Sequence, residues 1–400
     1  MCAYIENKTT EVKRDSKKLW KVHDLYTHRK KGKKSNEINC IVNKDKTSLT
    51  DSLNIANSMN KFFCNLNCDL PETDLFEIDK DFDIYKNNNL FKTNDFKFKF
   101  REFSIDDVIN AIDLLDNNCS SGITDIPVKI IKHCKKEVAK IYCTLINNFI
   151  ATNDIPDDLK CAICTPLFKK KGDENCPDNY RGISVISIFA KILERLLSND
   201  ILNHFSLNNL FSPIQHGFRK NFSCETALHS LLDAWKEDLD KNKFVVALFV
   251  DFKKAFDLVD QSILLRKLHH YGFSASALAL MTNYFTQRTQ ITKVAKVFST
   301  KESLNKGVPQ GTILAPLLFS IFINDLYFYL KTYNPQLSCI LFADDTTLYE
   351  SGVDLSTLVD EFKIKVASLF NWFNKQRLTM NETKTKAQDL ETRTNLAIAY

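Results

Sequence analysis

The sequence predicts an α+β fold, and three observations carry that prediction. Two short apolar runs, Phe244 to Val250 and Cys339 to Ala343, are too brief and too uniformly apolar for surface helices; they read as buried strands, each closing on aspartate. Longer stretches space their apolar residues as helices do, for example Leu228, Leu231, Leu232, Trp235 and Leu239. The 400 residues are 44% hydrophobic, which supplies a sizeable core and argues against a disordered or fibrous chain.

Composition narrows the class further. No run approaches eighteen consecutive apolar residues, and Met1 to Glu6 show no basic segment leading into an apolar one. The expectation is a soluble protein of nucleus or cytoplasm, neither secreted nor membrane-bound. Twelve cysteines without an export signal read as reduced thiols, so no disulfides are expected. The net charge of +5 singles out no partner, but residues 1–50 carry 13 Lys/Arg against 6 Asp/Glu. The run His28, Arg29, Lys30, Lys31, Gly32, Lys33, Lys34 at their centre reads either as a solvated tail or as a nucleic-acid contact or nuclear address.

Taken in order, residues 70–100 are rich in Asp, Asn and Lys and read as a connector. Ser104 and Asp107 have capping-box spacing, and Ile105, Val108, Ile109 and Ile112 continue a helix expected to end near Asn117. Val138, Ile141, Leu145 and Phe149 predict a second helix with that stripe facing the core. Across 161–187, Pro166, Gly172, Pro177 and Gly182 break short apolar pieces into a strand, an exposed basic loop and a second strand. After Cys339 to Ala343 come Asp344, Asp345 and then Thr346, Thr347, Leu348 and Tyr349, which reads as strand, acidic turn, strand.

One strand ending in aspartate is ordinary. If the two lie side by side, Asp251, Asp344 and Asp345 converge and repel unless cations sit between them. Oxygen-only donors favour a hard ion, so Mg²⁺ is expected and Zn²⁺ is not. Two such ions suit in-line phosphoryl transfer, which makes a metal-dependent nucleotidyltransferase the candidate.

At this point the stretch FADDTTLY (342–349) resembles the acidic hairpin of reverse transcriptases, specifically those of non-LTR (LINE-like) retrotransposons. Other blocks follow that family's order. TPLFKKKGDENCPDNYRGIS (165–184) is similar to its two fingers strands, QHGFRKNFSCETAL (215–228) to the next block and VDFKKAFDLVD (250–260) to the first palm carboxylate block. GVPQGTILAPLLFSIFINDL (307–326) resembles the loop and helix before the hairpin, and LTMNETKTKA (378–387) the block after it. Leu19, Trp20, Ile55, Ala56, Asn57, Phe62 and Phe63 resemble the linker preceding the polymerase.

The resemblance implies a right-hand polymerase with a basic linker region (1–100), fingers (101–243), palm (244–388) and a short tail (389–400). It implies RNA-directed DNA synthesis on an RNA template and DNA primer from dNTPs, with two Mg²⁺ ions, or Mn²⁺ as the alternative. Asp251 and Asp344 would bind both metals, with Asp345 as the auxiliary carboxylate. Phe256 would close the sugar pocket against a 2′-hydroxyl, and Gln310 would contact incoming nucleotide. Gly311 would allow close approach to the helix start, whose amides could meet phosphate or sugar oxygens. Lys169 and Arg181 would bind triphosphate, and Lys384 would be a general acid to pyrophosphate, with a solvated lysine the plain alternative.

Some features depart from the pattern. Gly182 stands where proline usually follows the arginine, and Gly122, Ile123, Thr124 and Asp125 resemble the first fingers block without the residues of a phosphate loop. Cys161 and Cys164 form a Cys-x-x-Cys with no second pair at zinc spacing, so no structural zinc is expected. With nothing before the basic linker and thirteen residues after Ala387, the expectation is an element truncated at both ends, lacking endonuclease and thumb. The competing reading is a catalytically inactive RNA-binding relic.

Overall fold

The computed structural model describes residues 38–42, 45–66, 71–91, 97–124 and 126–390. The basic run 28–34, Leu19, Trp20, Asp125 and the tail 391–400 lie outside the described residues.

The amino-terminal part carries strands β1 (Ile41–Val42) and β2 (Ser48–Leu49), then helices α1 (Ser52–Cys64), α2 (Leu75–Asn87), α3 (Ile105–Asp113), α4 (Val128–His133) and α5 (Lys135–Thr152). Strands β3 (Cys161–Phe168) and β4 (Tyr180–Ile186) follow, with helices α6 (Ile188–Leu207) and α7 (Cys224–Asp240). Next come strand β5 (Phe244–Val250), helices α8 (Gln261–His270) and α9 (Ala275–Phe285), and strands β6 (Thr289–Val294), β7 (Val297–Phe298) and β8 (Glu302–Ser303). The chain continues with helices α10 (Leu314–Phe322) and α11 (Leu326–Tyr333), strands β9 (Ser338–Phe342) and β10 (Asp345–Gly352), helix α12 (Leu355–Lys375) and strand β11 (Lys386–Leu390). Mixed helix and sheet agrees with the α+β expectation.

Two sheets organise these elements. The four-stranded sheet has the order β11-β5-β10-β9 with every neighbour antiparallel, so the apolar run Phe244–Val250 is an interior strand. Its alternation decides which face each residue covers. Val245 and Ala247 pack with Leu231, Trp235 and Leu239 of α7, while Val246 and Val250 enter the main core on the other face. The five-stranded sheet runs β4-β3-β6-β7, with β8 also on β6; β3 and β6 are parallel, as a helical crossover permits.

The stretch Leu314–Tyr333 is long and apolar enough to cross a membrane, but 78% of its most apolar eighteen residues are buried inside the protein. A turn at 323–325 splits it into α10 and α11, which line the core.

Three expectations need correction. The connector expected over 70–100 contains α2, whose side chains Ile78, Phe82 and Tyr85 are buried at helical spacing. Phe82 stacks on His270 at 4.4 Å, and the frequency of Asp and Lys between these residues hid their period. The helix begun by the Ser104–Asp107 capping box ends at Asp113 instead of near Asn117. On α5, Ile141 and Leu145 are 68% and 45% exposed. The buried stripe is Ala139, Tyr142, Cys143, Ile146 and Phe149, one residue round the helix.

Helix α1 is fastened by a long-range polar contact. Asn60, with no exposed surface, donates to the carbonyls of Gln290 (3.0 Å) and Thr300 (2.9 Å) and accepts from Thr292 Oγ1. A buried amide satisfied this fully fixes the helix against strand β6 of the five-stranded sheet.

Candidate active site

The chain leaves β5 at Asp251, and β9 and β10 are joined by a turn of Ala343 and Asp344. The turn is therefore one residue earlier than the acidic pair expected from sequence, and Asp345 opens β10. Thr346 pairs with Val250, so the next register position outward sets Asp345 opposite Asp251. Burial, then repulsion from Asp345 and Asp251, holds the Asp344 carboxyl above the usual carboxylate range, with Arg181 opposing. Asp345 is raised by burial and then by Asp251, with Lys384 opposing.

Asp251 already has partners. Asn381 Nδ2 donates to its Oδ2 at 2.9 Å, and Lys384 Nζ lies 3.1 Å from the same oxygen. The backbone is laced together as well: Asn381 N donates to Asp251 O at 2.7 Å and Lys253 N to Thr379 O at 2.8 Å. Among the described residues no three His, Cys, Asp or Glu side chains form a group that could hold a metal ion. The three carboxylates offer the oxygen donors a hard cation needs, but they do not form a preassembled cage.

Lys169 and Arg181 come from the antiparallel pair β3–β4 and the start of its loop, where Arg181 faces Leu167 across the ladder. Lys169 Nζ donates to the carbonyl of Asp178 at 2.6 Å. Burial and then repulsion from Lys254, Lys384 and Arg181 lower its ammonium pKa, so the four cations form one positive cluster beside the carboxylates. Lys254 is paired with Asp178 at 3.2 Å and lies 4.3 Å over the Phe62 ring, joining the loop to α1.

Phe256 and the glycine loop form one unit. The half-buried Phe256 ring stacks on Phe319 of α10 at 4.8 Å, and its carbonyl accepts from Val308 N at 2.9 Å. Gly307, at φ +76°, has no room for a side chain: a Cβ would lie 2.4 Å from the Asp257 carbonyl oxygen. Gln310 accepts through its own carbonyl from Ser184 N at 2.8 Å, which docks the loop on β4. Gly311 adopts φ +102°. A cavity lined by Phe63, Gly182, Ser184, Asp257, Gly307 and Gln310 lies where these pieces meet.

The start of α10 already has a partner within the protein. Glu194, 2% exposed, accepts from Ile313 N (2.8 Å) and Leu314 N (3.1 Å) through Oε2, and from Tyr284 Oη through Oε1. A side-chain carboxylate therefore satisfies two of the amides at the start of α10, Ile313 N and Leu314 N. Nothing near 307–314 in sequence signals Glu194. Asn381 sits in the LTMNETKTKA block, where the resemblance singles out only Lys384. Cys161 and Cys164 are both buried in β3, and burial pushes the Cys164 thiol up to about 12.

Residues 168–395 match the family described as reverse transcriptase (RNA-dependent DNA polymerase). The chain is similar to a probable RNA-directed DNA polymerase from transposon BS of Drosophila melanogaster, 27% identical over 277 residues, covering 68% of this chain and 29% of that protein. It is also similar to the RNA-directed DNA polymerase from mobile element jockey of the same species, 22% identical over 70% of this chain and 31% of the relative. A third relative is the putative 115 kDa protein of the type-1 retrotransposable element R1DM, again from Drosophila melanogaster, 26% identical over 64% of this chain and 24% of its own length. The matched region thus spans less than a third of each of these relatives.

Proposed function

The chain belongs to the reverse transcriptase (RNA-dependent DNA polymerase) family, of the non-LTR, LINE-like kind, and from that premise we propose that it extends a DNA primer on an RNA template with dNTPs. In this reading residues 101–243 are the fingers and 244–388 the palm of a right-hand polymerase, preceded by a basic linker. The observation that carries it is the meeting of two strand ends, Asp251 after β5 and Asp344–Asp345 at the β9–β10 turn, beside Lys169 and Arg181.

Mg²⁺, with Mn²⁺ the alternative, suits the oxygen-only donors Asp251, Asp344 and Asp345, and a pair of such ions would activate the attacking hydroxyl and stabilise the leaving oxygen. Arg181 and Lys169 bring positive charge to the triphosphate, Arg181 with a planar fork that matches phosphate oxygens. The Phe256 ring, backed by Phe319, forms a wall against which a ribose 2′-hydroxyl would clash. Gln310 lines the cavity beside Ser184, and Gly311 follows it in the loop docked on β4. Lys384 reaches the reacting centre and can donate a proton to pyrophosphate once it leaves Asp251.

Primer extension with purified protein, an RNA template, an annealed DNA primer and dNTPs tests the proposal. The wild type should add nucleotides, and Asp344→Asn should slow addition by about 10³-fold, since a metal contact is worth several kcal/mol. RNA affinity should change little, because it rests on Lys and Arg contacts to phosphates. If the wild type adds no nucleotide at saturating RNA, the proposal fails and an RNA-binding relic is the better description.

A further inference from the structure

Asp344 sits in a two-residue turn, and what holds that turn is found far away in sequence. The segment 214–217 runs along the outer edge of β9: Leu341 N donates to Ile214 O and His216 N to Leu341 O, both at 2.8 Å. Gln215 makes an isolated parallel bridge with Leu341. It has no exposed surface, and its Oε1 accepts from Gly217 N at 2.7 Å and from Ala343 N at 3.3 Å. The amide preceding Asp344 is thus bonded by a side chain from another segment.

Gly217 completes the contact. A Cβ there would lie 2.2 Å from Ala343 N, so the two backbones touch and only glycine fits. On either side of the contact a non-glycine residue takes the left-handed conformation, Phe218 at φ +57° and Ala343 at φ +58°. Such backbone persists only where its surroundings over-determine it. Arg219 Nη1 supplies part of that constraint by donating to Ser212 O (2.9 Å) and Gln215 O (3.0 Å).

We propose that Gln215, with Gly217, is the positioning clamp of the catalytic turn: it fixes Ala343 and thereby the direction in which Asp344 presents its carboxylate to the metals. This rests on the polymerase reading of Asp344. Gln215 touches no reacting atom. Its effect is on the geometry of a ligand, and outer contacts of this kind are worth about 10- to 100-fold in metal affinity.

The test uses the full chain and three variants. Gln215→Met keeps length and apolar contact but removes the acceptor; Gly217→Ala forces the backbones apart. Asn324→Ala is the structural comparator, because Asn324 is buried and ties Ser212 N and Leu210 O without touching the turn. Mn²⁺ affinity is read by paramagnetic resonance, the Ala343 amide by hydrogen exchange, and folding by Tm. Gln215→Met and Gly217→Ala should each weaken Mn²⁺ binding by at least about tenfold. Gln215→Met should also speed exchange at Ala343. Asn324→Ala should lower Tm with Mn²⁺ affinity unchanged. If folded Gln215→Met or Gly217→Ala binds Mn²⁺ as the wild type does, the clamp is structural only and the proposal is overturned. If the wild type itself binds no Mn²⁺, the metal reading of Asp344 falls first and takes the clamp with it, an outcome distinct from the previous one.

Discussion

The ammonium of Lys384 lies 3.1 Å from Asp251 Oδ2, so the carboxylate that follows β5 is held by a cation from the turn preceding β11. A metal ion using that oxygen competes with the lysine for it. The Lys384 side chain is 62% exposed, and such a pair is worth only about 0.2–1 kcal/mol. Lys384→Ala should therefore tighten Mn²⁺ binding up to about fivefold. Primer extension should still slow, by about 10²-fold or more if Lys384 is the general acid. Weaker metal binding in the variant would mean that Lys384 organises Asp251 instead of competing for it.

Sugar choice is the next consequence. The Phe256 ring is braced by Phe319 at 4.8 Å and cannot retreat toward α10 without disturbing a buried helix. Phe256→Val removes the wall, and because the discrimination is a steric clash, ribonucleotide use should rise relative to deoxyribonucleotide use. A change of this size in side-chain bulk is worth about 1–3 kcal/mol, or roughly 10- to 200-fold in the ratio of kcat/KM values. An unchanged ratio in an active variant would return Phe256 to the core.

The sequence marks the acidic strand ends more plainly than the frame around them. Asp251, Asp344 and Asp345 are readable because an apolar run closing on aspartate is a local pattern, whereas Lys169, Arg181 and Phe256 are singled out only by the resemblance to the family's blocks. Helices α1 and α2 were not readable, because what holds them is remote. Asn60 is satisfied by carbonyls more than two hundred residues away, and Asp79 by Arg266 and His270. Gly182 illustrates the same limit. It departs from the proline of the family pattern, and a Cβ there would meet Cys164 Sγ at 2.8 Å and the Phe63 ring of α1 at 3.2 Å. A side chain there would have to displace Cys164 or Phe63, which no local reading of that strand could reveal.

Asp257 gives the fold a pH dependence. Burial pushes its carboxyl from 3.8 up to about 6, against the pull of Lys254 and Lys169. The folded state therefore favours the protonated acid. That contribution is complete below the unfolded value of 3.8 and is lost as pH rises through about 6. A shift of this size corresponds to about 3 kcal/mol. Asp257→Asn, which does not titrate, should gain on the wild type by up to about 3 kcal/mol in urea unfolding between pH 4 and pH 8. A gap that stays constant across that range would mean that Asp257 titrates as an ordinary surface acid.

The core encloses a charged pair. Lys267 of α8 and Asp325 before α11 are 0% and 1% exposed, and the ammonium also donates to the Phe322 carbonyl. Its charge lies 4.7 Å from the Phe322 ring centre and 5.3 Å from that of Trp372, and Asp81 of α2 contributes to the same field. Two buried charges stabilise a fold mainly by satisfying one another, since each carries a desolvation penalty of several kcal/mol. Lys267→Met strands the Asp325 carboxylate and should lower stability by about 3–5 kcal/mol. The double variant Lys267→Met, Asp325→Leu removes both penalties and should recover most of that loss, because packed apolar residues of similar volume replace buried ion pairs at little net change. Urea unfolding of the wild type, both single variants and the double variant gives the coupling energy directly. Additive losses in the double variant would show that the two charges do not depend on one another, and that α8 and α11 are joined by apolar packing alone.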